Sequence, residues 1–592
     1  MSTDRLQQAI ALHQNGQLDQ ARALYEEILS RDSRDFDALH LLGVVAAQTG
    51  NHARAIALIG RAIQVEPKNA AAFAAHFNRG MSQQALRQWD AALASYDSAT
   101  AIEPSYGDAY SARGNVLREL KRYEAAIDSY GRAIALDTHQ KNGLRGIRCH
   151  LRMQICDWSE LDADLAAIEA GIRAGRPEAD PFDALALLNS GELQRQAAEI
   201  WVREQHPENH TLPVMSGRSR HERIRVGYFS ADLRDHPVAA LLAGVLEAHD
   251  RARFELFAFS FGPDTRDEMR KRVRLAFDRF MDVRGKTDLE IAQLARSLEI
   301  DVAVDLGGFT AGARPGIFAA RAAPRQVSYL GYLGTLGASY MDYLVADAVL
   351  VPPESRGHYR ERLVYLPSYQ ANDSKRPVAG LELTRQELDL PASGVVLCCF
   401  NASYKITPPV FDAWMRILKR VPGSVLFLYS TSAATEKNLR REAVDRGVAA
   451  NRLVFGGRLP YREYLARYRV ADLFLDTLPY NAGTTASDAL WAGLPVLTCT
   501  GATFASRMGA SLLQAVDLPE LIAPSLERYE DLAVELASDP QRLADIRARL
   551  AANRSRSLLF DTARLTRSLE QAFTQIYEHY QAGLPVEHVD VT

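Results

Sequence analysis

Along the first 140 residues, small and large apolar positions recur at helical spacing. Ala21, Ala55, Ala92 and Ala126 are each followed four positions on by a large residue (Tyr25, Ile59, Tyr96, Tyr130). Three beyond those stand Ile28, Ala62, Ala99 and Ala133. Residues three and four apart share a helix face, so each segment predicts a helix packed closely against an antiparallel neighbour. The copies lie 34, 37 and 34 residues apart, so one interval carries a three-residue insertion. Pro67 and Pro104 fall just past the second helix of a pair, where proline stops it. From 141 to 220 the pattern stays helical but loses the repeat. MQICDWSELDADLAAI predicts an amphipathic helix start with Trp158 as a core anchor, RAGRPEADP and PENHTLP loops, and MSGRSRHER a linker.

After Arg223 the period changes to short β-branched and aromatic runs separated by helical stretches. These predict strands at 223–230, 254–261, 301–306, 325–332 and 342–350. A Pro/Gly-bearing stretch at 377–394 follows, then strands at 395–401, 424–430, 452–457, 473–478 and 495–499. Alternation of this kind predicts two doubly wound parallel sheets in tandem. Residues 527–582 read as helices, followed by a polar tail. The fold class is therefore α followed by α/β, with expected divisions at 1–140, 141–220, 221–390, 391–535 and 536–592. The 34-residue period resembles the tetratricopeptide repeat, which implies a solenoid whose groove takes an extended polypeptide or protein partner.

Composition narrows the function. At 592 residues, 47% apolar and 24% charged, the chain has ample material for several cores. A net charge of −4 gives no basic footprint for nucleic acid. No apolar run is long enough for a membrane span, and the N-terminus lacks signal-peptide character, so a cytoplasmic location is expected. The five cysteines (Cys149, Cys156, Cys398, Cys399, Cys499) contain no Cys-x-x-Cys pair and read as buried thiols, not zinc ligands.

Ligands of open parallel sheets bind beyond the carboxyl ends of the strands, and glycine and short polar residues gather there. SADLRDHP, DLGGFT, YLGTLG, FNASYK and PYNAGTTASD each overlap or follow a strand end, which suggests a cleft between two lobes. In NAGTTASDALWAG, Thr484 and Thr485 open a helix whose free amides and partial positive charge suit a diphosphate. Asp488, one turn in, could accept from ribose hydroxyls; an ordinary threonine cap is the plainer alternative. Lys405, past the strand at 395–401, could neutralise a leaving diphosphate or be a solvated loop lysine. His236, before Pro237 in RDHPVAALLAGVL, could act as a base, hold a sugar hydroxyl or phosphate, or simply cap its helix. No Gly-x-Gly-x-x-Gly or Walker A pattern occurs, and Asp-x-Asp is confined to the helical region (Asp35/Asp37, Asp162/Asp164). A site without a metal or resident cofactor is expected.

At GYFSADLRDHP, DLGGFTAGARPGIFAARAAPRQVSYLGYLGT, FNASYKITP and DTLPYNAGTTASDALWAGLPVLT the chain resembles the bacterial O-linked N-acetylglucosamine transferases. In that family tetratricopeptide repeats precede a two-lobed GT-B glycosyltransferase, and the likeness extends to CDWSELDADL in the connector. The resemblance implies an inverting, metal-independent transfer of N-acetylglucosamine from UDP-GlcNAc to Ser/Thr hydroxyls of proteins. It implies His236 as the active-site histidine beside the donor sugar and Lys405 as the lysine stabilising departing UDP. It also implies Thr484, Thr485 and Asp488 as the grip on diphosphate and ribose, with Asn401 and Tyr404 in the same nucleotide motif and Gly331 in a loop approaching the sugar.

Three positions depart from the animal enzymes: Ala402 for glutamine, Gly483 for histidine and Tyr461 for a lysine framing uracil. Spindly-type O-fucosyltransferases share a Gly-Thr-Thr stretch, so GDP-fucose is the alternative donor. A non-catalytic, sugar-nucleotide-sensing repeat adaptor is the alternative from another class. The expected partners are an acceptor protein or peptide and a nucleotide sugar, with no membrane or nucleic acid; homo-oligomerisation is left open.

Overall fold

The computed structural model of the chain describes residues 2–136, 143–215, 217–373, 375–376 and 383–591. It divides into two compact units, 1–152 and 153–592; the expected boundary at 140/141 falls outside the described residues.

Among its described residues the first unit contains four helix pairs: Ser2–Gln14 with Leu18–Arg31, Phe36–Gln48 with His52–Val65, Ala72–Ala85 with Trp89–Ile102, and Gly107–Glu119 with Tyr123–Ala135. The repeat stripe is its core, since Ala21, Ala55, Ala92 and Ala126, and the large residue after each, are all fully buried. Close approach is set from the opposite helix. A Cβ on Gly43 would lie 2.5 Å from Ile59, and one on Gly80 or Gly114 would lie 2.7 Å from the ring of Tyr96 or Tyr130. Burying each ring contributes about 1.5–3 kcal/mol. The phenols stay satisfied, since Tyr96 donates to Gln84 and Tyr130 to Asn115, each at 2.8 Å. The insertion is absorbed by the longer connection 66–71 and by one extra residue in the following helix.

The connector is broken where one helix start was expected. The helix Leu144–Gln154 ends before Cys156, which adopts a left-handed φ of 51°, and a new helix begins at Leu161. Trp158 packs against Phe411 with ring centroids 5.4 Å apart. All five cysteines are buried free thiols.

The first sheet has β1 (Ile224–Ser230), β2 (Phe254–Ser260), β3 (Arg279–Asp282), β4 (Val302–Asp305), β5 (Arg325–Ser328), β6 (Tyr343–Ala346) and β7 (Arg362–Tyr365). The second has β8 (Val396–Cys399), β9 (Val425–Tyr429), β10 (Leu453–Gly456), β11 (Leu473–Leu475), β12 (Val496–Cys499) and β13 (Ile522–Ala523). The tail expected to be only polar forms β14 (Val589–Asp590), which pairs with β7 and closes the edge of the first sheet. The orders are β14-β7-β6-β5-β4-β1-β2-β3 and β10-β9-β8-β11-β12-β13. Among the described residues every pairing is parallel, as in Val226 opposite Val302 and Leu473 opposite Leu397. Strand order reverses between β1 and β4 in one sheet and between β8 and β11 in the other, which places a ligand crevice at each point. The helix Thr562–Gln581 returns to the first lobe, where Glu570 meets the buried His249 at 3.0 Å.

Candidate functional site

The crevice of the second sheet is built from two loops. Asp476, at the end of β11, accepts from the amides of Thr477 (2.8 Å) and Ala482 (2.7 Å) and from the Thr498 hydroxyl (2.7 Å). This folds the chain back so that the helix Thr484–Ala492 starts at the sheet edge. Its cap residue is Gly483, which brings no side chain to the first amides. Those N–H groups remain available to an anion. Asn401, from the loop after β8, donates to Thr477 Oγ1 at 2.8 Å and accepts from the Thr485 hydroxyl, tying the two loops together.

Lys405 belongs to the same assembly. Its Nζ donates to the carbonyl of Asn481 at 3.1 Å and sits 3.7 Å from the centroid of the Tyr480 ring. Burial pulls its pKa down to about 8, against the opposing charge of Asp476. Tyr404 packs edge-on between Phe182 and Tyr480, and burial pushes its phenol well above the ordinary range.

A cavity of about 590 Å³ joins the two lobes. His236 stands on the first-lobe side, and Thr484, Thr485, Asp488 and Arg467 on the second. The structure thus brings four of the nine expected residues into one cavity. Lys405, Asn401, Tyr404 and Gly483 support it from the adjoining loops. Gly331 lies on the first lobe, where a Cβ would come within 1.9 Å of the Leu306 carbonyl, so its bare backbone is what packs against the end of β4. The side chain of Tyr461 lies outside the described residues. Around Gly483 a Cβ would meet only Met508, at 3.8 Å.

His236 does cap its helix, Pro237–Ala248, with Nδ1 accepting from the Val238 amide at 3.3 Å. Its Nε2 lies 3.7 Å from Asp232 Oδ1. With Nδ1 engaged as an acceptor, the neutral ring carries its proton on Nε2. Burial lowers its pKa, with Asp232 acting in the opposite sense.

Asp488 is buried and already engaged, ion-paired to Arg376 and hydrogen-bonded to Tyr464; burial raises its pKa and Arg376 opposes the rise. Arg376 was not anticipated, and neither was Arg467. Arg467 is 1% exposed, bonds the Gly457 carbonyl at 3.0 Å and lies 3.9 Å from the Phe400 ring centroid. Buried arginines lack a sequence signature because arginine is normally exposed; only the adjacency of YLARYRV to a predicted strand pointed there. Aromatic rings (Phe400, Tyr429, Tyr464), guanidinium groups and an uncapped helix start share one cavity. That combination suits a flat base linked to an anion.

The chain thus joins a helical repeat array to two parallel-sheet lobes that share a cavity. The Glycosyl transferase family 41 profile matches residues 200–376 and 370–569, and the Tetratricopeptide repeat profile matches 6–72 and 77–140. The chain belongs to glycosyl transferase family 41. It is 33% identical over 467 residues to the probable UDP-N-acetylglucosamine–peptide N-acetylglucosaminyltransferase SEC of Arabidopsis thaliana, covering 75% of this chain and 48% of that one. It is 30% identical over 366 residues to the tomato (Solanum lycopersicum) protein named SPINDLY, covering 60% and 39%. The chain spans less than half the length of these curated relatives. A solved variant of the Thermobaculum terrenum O-GlcNAc transferase superposes with a TM-score of 0.62 at 30% identity, covering 98% of both chains.

Proposed function

We propose that the chain is an inverting protein O-glycosyltransferase that moves N-acetylglucosamine from UDP-GlcNAc to Ser/Thr hydroxyls of polypeptides presented by the repeat groove. The observation that carries this reading is the convergence of His236 from one lobe and the uncapped Thr484 helix start from the other on a single cavity. The acceptor oxygen bonds to the anomeric carbon as the bond to the β-phosphate breaks, UDP leaves, and the acceptor proton passes to a phosphate oxygen. Lys405 and the amides at Thr484 and Thr485 receive the leaving charge. Positive charge from the protein thus takes the role a divalent cation has elsewhere. Arg467 and the rings around it take the base, and Asp488 the ribose. His236, a donor at Nε2, holds a sugar hydroxyl or phosphate and does not accept the proton.

The names of the relatives support UDP-GlcNAc as donor. The open space at Gly483 keeps GDP-fucose as the second reading. Thermal-shift titration with UDP, GDP and their sugars separates them: stabilisation by the uridine ligands supports the proposal, and stabilisation by the guanosine ligands alone rejects UDP-GlcNAc. Incubation of the chain with UDP-GlcNAc and protein extract in excess EDTA is expected to label serine and threonine. Absence of transfer with every UDP- and GDP-sugar would reject the enzyme.

A further inference from the structure

Asp476 ties together the loop after β11, the loop after β8 and β12. Its Oδ1 takes the Thr477 and Ala482 amides and lies 3.3 Å from Asn401 Nδ2; its Oδ2 takes the Thr498 hydroxyl from β12. The helix Met508–Ala515 approaches so closely that a Cβ on Gly509 would lie 2.6 Å from that Oδ2. The carboxylate is 2% exposed. Ionisable groups that face it are the Lys405 amine, the thiols of Cys399 and Cys499, and the Tyr529 phenol, which donates to the Asp476 carbonyl at 3.0 Å. Burial raises the pKa of both thiols and of the phenol, leaving them neutral near pH 7. Asp476 and Lys405 are therefore the two charges within this group.

We propose that Asp476 is a positioning residue for the transfer: its carboxylate shapes the 476–485 loop and supplies the negative charge that holds Lys405 as an ammonium toward the diphosphate. The inference rests on the function proposed above. Its physical basis is that removing a nearby opposite charge in a poorly solvated site disfavours the charged amine. Burial already brings Lys405 down to about 8 and Asp476 up to about 6, each opposed by the other's charge.

Asp476→Asn tests the charge apart from the shape. The amide oxygen can keep the acceptor role of Oδ1, and the amide nitrogen can donate to the Thr498 hydroxyl, which both donates and accepts. The expected result is a kcat/KM profile whose alkaline midpoint drops by about one pH unit. Activity then nears wild type at pH 6.5 and is about tenfold lower at pH 9, with Tm unchanged or raised. Asp476→Asn combined with Lys405→Arg, whose guanidinium stays charged, should lose the alkaline limb. An unshifted midpoint in the folded single variant overturns the proposal. A reading independent of turnover is lysine ¹³Cε NMR of the wild-type chain. The Lys405 resonance should show a second inflection near pH 6 as its partner titrates, and a single inflection overturns the proposal even if the variant does not fold. Loss of all turnover in the wild type with the double inflection intact counts against the transferase reading and leaves the pair standing.

Discussion

Raising the pH is a perturbation whose size follows from one residue. With its pKa at about 8, Lys405 is roughly 90% protonated at pH 7, about half at pH 8 and about 10% at pH 9. Because kcat/KM reports the free enzyme, it should fall about tenfold between pH 7 and pH 9, with a midpoint near 8. The sign is fixed by the chemistry: only the ammonium stabilises a departing diphosphate. Unfolding does not mimic this, because the group's pKa lies below its ordinary 10.5. Its contribution to stability therefore rises with pH from about 8 toward 10.5, where the unfolded chain binds the proton. Initial rates of UDP release from UDP-GlcNAc in the presence of acceptor peptide measure the profile. Lys405→Ala should lower the rate at pH 7 by about 10²–10³, the usual cost of losing one preorganised donor to a developing negative charge. Lys405→Arg should give lower rates but a flat profile. A wild-type profile flat to pH 9, or a Lys405→Ala variant within threefold of wild type, would refute this account of leaving-group stabilisation.

Two further outcomes are expected. Gly114→Ala places a methyl 2.7 Å from the Tyr130 ring and should destabilise the repeat unit by about 1–3 kcal/mol, read by thermal unfolding of the whole chain; an unchanged transition contradicts the close-packing account. Asp488→Asn removes the carboxylate charge that pairs with Arg376 in a site where both side chains are 3% exposed or less. Losing that charge-assisted hydrogen bond should cost about 1.5–3 kcal/mol and weaken UDP binding by calorimetry, and wild-type stability would contradict the ion pair.

Much of this fold is written in periodicity. The 34-residue recurrence of Ala21 and its counterparts specifies the helix pairs because each small residue faces a large one. A companion signal, the recurrence of Gly43, Gly80 and Gly114 at intervals of 37 and 34, carries the same information from the opposing helix. Long, apolar strands such as β1 and β2 were legible. β3, β7, β13 and β14 were not, because runs of two to four residues, several with charged positions, look like loops until a neighbouring strand pairs with them.

At the site, Thr484, Thr485 and His236 were legible because helix starts after strand ends have a local signature. Arg376, Arg467 and the contacts of Asp476 were not. Each depends on partners more than 20 residues away, as when Asp476 meets Thr498 from β12 and Arg376 meets Asp488 from the other lobe. For Lys405 the sequence left a diphosphate contact and a solvated loop lysine open; the structure seats its amine on the Asn481 carbonyl, three residues before Thr484.

A crystal structure of the chain with UDP tests the central claim most directly. The account predicts β-phosphate oxygens within about 3.2 Å of the Thr484 and Thr485 amides and of Lys405 Nζ, with uracil against Arg467. A diphosphate bound away from that helix start, or with Lys405 still on the Asn481 carbonyl and out of reach of it, would contradict the account.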